Sequence, residues 1–204
     1  MMDLGGRMEL RLKGARRVWL SRAIGHALVL GGSGVACTSA LAQAALSPST
    51  WFLQAGVASG TRTVTTGLAW NLEREWDAGS GRLSAYLEAS MAVWSYRSAH
   101  GDGRSQLVQA ALTPVVRYRP SHGTAPWFVD GGIGISFTSS KFANDRKSFS
   151  TTFNFGSVIG VGFNFGAQRE HEVSLRVQHF SNAGIKKPNP GENFLQLRYA
   201  YQFR

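Results

Sequence analysis

A base, a hydroxyl and a carboxylate lie close together near the C-terminus, in the run Gln178-His179-Phe180-Ser181-Asn182-Ala183-Gly184-Ile185-Lys186-Lys187-Pro188-Asn189-Pro190-Gly191-Glu192. A serine hydroxyl becomes a nucleophile when an imidazole takes its proton, and the imidazole in turn needs an acceptor that fixes its tautomer. His179 and Ser181 are two positions apart. On a β-strand that spacing puts them on one face, with backbones roughly 6.5–7 Å apart, so that long side chains can meet. Glu192, across the intervening loop, is the expected acceptor.

The elements that must position these groups are strands. From Trp51 onward apolar residues recur with period two, the pattern of half-exposed strands and not of amphipathic helices. The last segment shows it: Leu195, Leu197, Tyr199, Tyr201 and Phe203 share one parity, Gln196, Arg198, Ala200 and Gln202 the other. Upstream, the oily parity is carried by Trp51–Val57, then Val64, Leu68 and Trp70, then Leu83–Val93, then Val108–Tyr118. It continues through Trp127–Phe137, Phe153–Phe165 and Val173–Val177, and with the last segment there are eight. Turn signals such as Ala78-Gly79-Ser80-Gly81, Ser121-His122-Gly123 and Asn189-Pro190-Gly191 separate them.

Eight antiparallel strands, each with one apolar face, predict an all-β, eight-stranded antiparallel transmembrane β-barrel of the bacterial outer membrane. A soluble lipocalin-like barrel alternates as well, with its oily face inward. The other parity argues against it. Tyr86, Glu88, Ser90, Gln109, Thr113, Arg117, Asp130, Ser136, Asn154, Arg176 and Gln178 are polar, and opposed charges among them can pair inside a narrow, side-chain-filled barrel. With both termini in the periplasm, the seventh strand runs outward and ends at the outer leaflet. His179 and Ser181 continue its lipid-facing row. Unsatisfied polar groups in hydrocarbon cost several kcal/mol each, so the placement points to a functional role. The structural alternative is that both are solvated rim residues at the strand end.

Residues 1–44 read as a cleaved signal peptide: a basic region from Arg7 to Arg22, an apolar stretch Ala23–Leu30, and small residues through Ala40-Leu41-Ala42-Gln43-Ala44. Cleavage fits after Ala42 or Ala44, with Ala44 preferred, and Met8 is an alternative start. The remainder, 45–204, is the barrel with its C-terminal catalytic segment. Cys37, the single cysteine, leaves with the signal peptide, so no disulfide or thiolate metal site is expected. A lipobox at Gly34-Val35-Ala36-Cys37 is the rival reading, weakened by glycine where a large apolar residue is usual. Cleavage removes six of the 22 basic and two of the 12 acidic side chains, leaving a formal excess of six positive charges. For an exported chain that excess suits anionic lipid head groups or lipopolysaccharide phosphates, not nucleic acid. Absence of an HExxH motif and of paired carboxylates predicts no metal and no cofactor.

The run His-aromatic-Ser-Asn-Ala-Gly-hydrophobic-Lys-x-Pro-Asn-x-Gly followed by Glu, at residues 179–192, resembles the signature of the outer-membrane lipid A 3-O-deacylases, the PagL family. Weaker similarity, in length, strand order and segments such as Ser80-Gly81-Arg82-Leu83 and Gly132-Ile133-Gly134, covers the rest of the mature chain. The resemblance implies hydrolysis of the ester-linked acyl chain at the 3-position of lipid A, with His179 as base, Ser181 as nucleophile and Glu192 as acid. It also implies Asn182 and Gly184 as oxyanion donors, positions that equally suit a turn. The family pattern carries one more residue between the loop glycine and the acid, which aligns Asn193 with it. Parity also favours Asn193, so Glu192 requires a bulge to turn outward. Lys186 and Lys187, with Arg146 and Lys147 of the preceding outer loop, are candidate contacts for lipid A phosphates, and a solvated loop explains them equally well. The expected partners are lipid A and the membrane, a second copy of the chain being admissible. Alternative functions are a non-enzymatic barrel for adhesion or membrane integrity, and a phospholipase or palmitoyl transferase on the same scaffold.

Overall fold

The computed structural model describes residues 47–99 and 103–203; the signal-peptide reading and Cys37 lie outside them. Eight antiparallel strands run β1 (Thr50–Ala58), β2 (Thr61–Ala78), β3 (Gly81–Arg97), β4 (Arg104–Pro120), β5 (Trp127–Thr138), β6 (Phe153–Phe165), β7 (His171–Ser181) and β8 (Glu192–Gln202). Each pairs with the next, and β8 pairs back onto β1 to close the barrel. A single 3₁₀ turn, Ser121–Gly123, joins β4 to β5.

Alternation decides where every side chain goes. The oily parity faces outward on all eight strands, leaving Leu53, Val64, Met91, Val116, Ile133, Ile159, Leu175 and Leu197 exposed around the wall. In water so large an apolar belt would drive association; in a bilayer it is the lipid-facing surface of a membrane-spanning barrel, whose backbone polar groups are all satisfied by closure. Trp51, Trp127, Phe163, Phe165, Tyr199 and Phe203 cluster towards the end that carries the termini, as an aromatic girdle does.

The inward parity is largely polar, and its charges are paired. Arg117 holds Asp130 at 2.8 Å and Glu172 at 2.7 Å, and the Tyr86 hydroxyl donates to Asp130 at 2.7 Å. Glu88 accepts from Arg176 at 3.0 Å and also from Arg198. The guanidinium of Arg117 lies 3.4 Å above the Phe128 ring, and that of Arg198 lies 3.8 Å above Phe52. Cation–π stacking and ion pairing together compensate the desolvated charges. Towards the opposite end the interior becomes aromatic: Trp94, Tyr96, Phe180 and Phe194 from the strands meet Phe142 and Phe149 of the β5–β6 loop. Trp94 packs edge-on against Phe142 and Phe194, with ring centroids 5.6 and 4.7 Å away. The loop thus packs into the barrel mouth beside the start of the 182–191 loop.

β2 runs further than the alternation indicated. It continues past Trp70 to Ala78, through a register shift between Leu72 and Glu75. Beyond Ala69, which faces Thr50, it pairs only with β3, so this hairpin projects past the rim. Arg74 interrupts the apolar parity between Leu72 and Trp76, and with Glu73, Glu75 and Asp77 it puts charge on an otherwise unpaired edge, which discourages pairing with other chains.

Replacing Glu88 with leucine should leave two buried guanidiniums without their shared acceptor, lowering stability by about 3–5 kcal/mol. Urea unfolding of the refolded barrel in detergent measures this as an earlier midpoint. An unchanged midpoint would mean that the interior pairs do not hold the wall together.

Candidate active site

Register brings His179 and Asn193 face to face. In the β7–β8 ladder His179 is opposite Asn193, and Phe180 is opposite Glu192. His179 and Asn193 point outward, and the Nδ1–H of His179 donates to the Asn193 side-chain oxygen at 2.7 Å. That bond leaves Nε2 as the lone-pair nitrogen, the arrangement a base needs when an acceptor holds its other nitrogen. Ser181, two residues on along the same face, is half-buried and lies opposite Phe155 of β6. Phe155, Phe153 and Phe137 form a chain of rings with centroids 5.1 and 5.2 Å apart, an apolar shelf beside the hydroxyl.

Glu192 takes the other destination. It is 1 % exposed and points into the barrel mouth, where its carboxylate lies 3.3 Å from the Lys147 ammonium. The expected His179–Glu192 pair is therefore replaced by His179–Asn193. The reason is regular pairing: β8 keeps its alternation from its first residue, and no bulge turns Glu192 outward.

The loop 182–191 is built from the inside as well. Asn182 is buried; its side chain donates to Ser150 Oγ at 2.9 Å and to the Lys186 carbonyl at 2.8 Å, and accepts from the Gly184 N–H at 2.9 Å. Its own N–H donates to Asn189 Oδ1 at 3.0 Å. The donors expected to form an oxyanion hole at Asn182 and Gly184 are thus committed to an Asx-type turn that shapes the loop after Ser181. Lys147 is likewise engaged, donating to the Gly191 carbonyl at 2.9 Å, and Arg146 donates to Ser59 Oγ. Lys186 and Lys187 remain exposed on the loop surface.

Gly191 is a contact that motif reading passed over. Its φ is +66°, and a Cβ placed on it would sit 2.5 Å from Cε1 of His179. Only glycine lets the chain pass this close to the ring in this conformation.

A groove of about 660 Å³ opens on the lipid-facing wall from His179. It runs past Val177, Ser157 and Ile159 to Ile133, Gly131 and Val116, crossing from β7 to β4. Its lining is almost wholly apolar, and Gly131, where a Cβ would meet nothing within 4 Å, contributes to the hollow.

A Gly191→Ala substitution should push the imidazole away and break the bond to Asn193. In detergent-solubilised protein, the Nδ1 proton of His179 should be slow to exchange in the parent and fast in the variant, with strand amides unchanged. A retained, protected proton would show that Gly191 does not fix the ring.

Comparison with known proteins follows the same residues. The family model described as lipid A 3-O-deacylase (PagL) matches residues 63–202. A protein named lipid A deacylase PagL from Bordetella bronchiseptica is 36% identical over 124 residues, covering 60% of this chain and 65% of that protein. The matched part thus spans just under two thirds of that relative's length. The protein of the same name from Pseudomonas aeruginosa is 30% identical over 138 residues, covering 67% of this chain and 76% of that one. A crystal structure described as the outer membrane enzyme PagL superposes with a TM-score of 0.63 at 25% identity, covering 76% of this chain and 99% of that one. The family match takes in most of the barrel and all of the His179–Asn193 segment, and the chain belongs to the lipid A 3-O-deacylase (PagL) family.

Proposed function

We propose that this barrel resides in the bacterial outer membrane and hydrolyses the ester-linked acyl chain at the 3-position of lipid A, using Ser181 as nucleophile and His179 as base. The observation that carries the reading is the position of the His179–Asn193 pair. It faces lipid, at the end of the barrel away from the termini, at the head of an apolar groove. A substrate with its ester at the outer-leaflet interface and its chain in hydrocarbon reaches this site without leaving the membrane. The names of the family and of the two relatives support the same substrate.

The chemistry follows from the residues. Ser181 Oγ attacks the ester carbonyl while Nε2 of His179 accepts its proton. The tetrahedral intermediate collapses, the C–O bond to the sugar breaks, and His179 returns the proton to the sugar oxygen. Water, activated by the same nitrogen, then cleaves the acyl-enzyme and frees the fatty acid. Asn193 keeps the Nδ1–H tautomer in place throughout. A neutral amide orients the ring as a carboxylate does but supplies no countercharge to the imidazolium, as in Cys-His-Asn sites. The groove receives the departing chain, and exposed Lys186 and Lys187 face the anionic head-group layer.

Incubating refolded protein with purified lipid A tests the reading. Mass spectrometry should show loss of one acyl chain and a freed 3-hydroxy fatty acid, both abolished by Ser181→Ala and by His179→Asn. Unchanged lipid A would favour a purely structural barrel, and a lysophospholipid product from mixed membranes would favour the phospholipase or transferase alternative. Asn193→Ala should cut kcat by roughly 100-fold or more through loss of tautomer control, while Asn193→Asp, which restores an acceptor with charge, should retain turnover. Gly131→Phe, which fills the groove without meeting backbone, should raise KM for long acyl chains more than for short ones; equal effects on both would place the chain elsewhere.

A further inference from the structure

Lys147 lies on the β5–β6 loop, far in sequence from the catalytic segment, yet it reaches the end of that segment. The loop around it is closed by hydrogen bonds. Asn144 Oδ1 accepts from the N–H groups of Arg146 and Lys147 at 3.0 and 2.9 Å, the Asn144 N–H donates to the Lys147 carbonyl at 2.9 Å, and that of Phe149 donates to the Phe142 carbonyl at 2.8 Å. Phe142 and Phe149 then anchor this hairpin in the aromatic interior. From that base the ammonium reaches two acceptors in adjacent residues, the Gly191 carbonyl at 2.9 Å and the Glu192 carboxylate at 3.3 Å.

Those two residues immediately precede Asn193, and the segment meets the imidazole at Gly191 and at Asn193. Gly191 lies against Cε1, and Asn193 accepts from Nδ1. The segment Gly191-Glu192-Asn193 therefore holds the ring at two points on the lipid side, while Lys147 and Glu192 hold the segment on the interior side. We infer that the pair formed by half-buried Lys147 and the buried Glu192 carboxylate is a positioning clamp for His179, fixing from the barrel mouth the backbone that orients the base outside it. Neither side chain touches the substrate. The inference rests on the esterase reading and assigns Glu192 a role different from that of a triad acid.

Loss of a clamp misplaces the base without weakening substrate binding, and a displacement of about 1 Å costs roughly 100-fold in turnover. Kinetics on purified lipid A in detergent micelles should show kcat lowered about 10- to 100-fold in Lys147→Met and in Glu192→Gln, with KM within about twofold. The double variant Lys147→Met/Glu192→Gln should be no worse than Lys147→Met alone, since the pair is already broken in that single variant. Lys147→Arg, which keeps charge and donors, should stay within about threefold of the parent. Faster exchange of the His179 Nδ1 proton in Glu192→Gln would tie the loss to ring orientation.

Heat-modifiable electrophoretic mobility reports whether each variant still forms the barrel, and Glu192→Gln, which preserves shape, decides the matter if Lys147→Met does not. Parental kcat in both single variants, with Ser181→Ala inactive, overturns the clamp and leaves the esterase reading intact. Raised KM at parental kcat in Lys147→Met also overturns it, making Lys147 a substrate contact. Turnover retained by Ser181→Ala would remove the esterase reading on which the clamp rests.

Discussion

In a closed barrel spanning lipid, each strand residue has two destinations: hydrocarbon, or a narrow interior already full of side chains. Everything distinctive in this chain follows from that constraint. Charged residues go inward and must be paired there, as Arg117 is with Asp130 and Glu172. The outward parity is mostly apolar. A polar side chain on the outer face therefore stands against a mostly apolar background, and His179, Ser181 and Asn193 are such a group at the edge of the belt.

The constraint also divides the labour at the site. Chemistry on a membrane ester has to be done on the outer face, but that face offers few partners with which to hold a catalytic base. One cross-strand amide does so directly, at 2.7 Å. The rest of the support reaches through the sheet: the inward neighbours of His179, Ser181 and Asn193, namely Phe180, Asn182 and Glu192, are all buried and bound to the interior plug or to the loop that forms it. The β5–β6 loop is for this reason more than a cap. It joins the stable interior to the segment carrying the base, and glycine at 191 lets backbone fill a space that a side chain could not.

How much of this could be read in the residues depended on the range of the interaction. Strand number, facing and the membrane-spanning character follow from two-residue alternation, a purely local signal, and the structure carries all eight strands with the expected parity. The far half of β2 was hidden because Arg74 breaks the apolar row beside a register shift between Leu72 and Glu75. At the site, alternation already favoured Asn193 over Glu192, and the preference for a carboxylate as acceptor pointed the other way; regular strand pairing prevailed. The engagement of Lys147 with Gly191 and Glu192 had no local signature at all, because it depends on a loop folding back across the mouth. The turn built on Asn182 was half visible, since asparagine before Ala-Gly suits a turn as well as a donor.

The central claim is that an outward-facing serine, served by a histidine held by an amide, cleaves an acyl ester presented by the membrane. A long-chain alkyl fluorophosphonate in mixed micelles tests it directly, because the reagent labels a serine only where a base activates it. Peptide mass analysis should find a single adduct, on Ser181, appearing in step with the loss of lipid A deacylation. Deacylation that persists once Ser181 is fully labelled, or an inactivating adduct on another residue, would contradict the account.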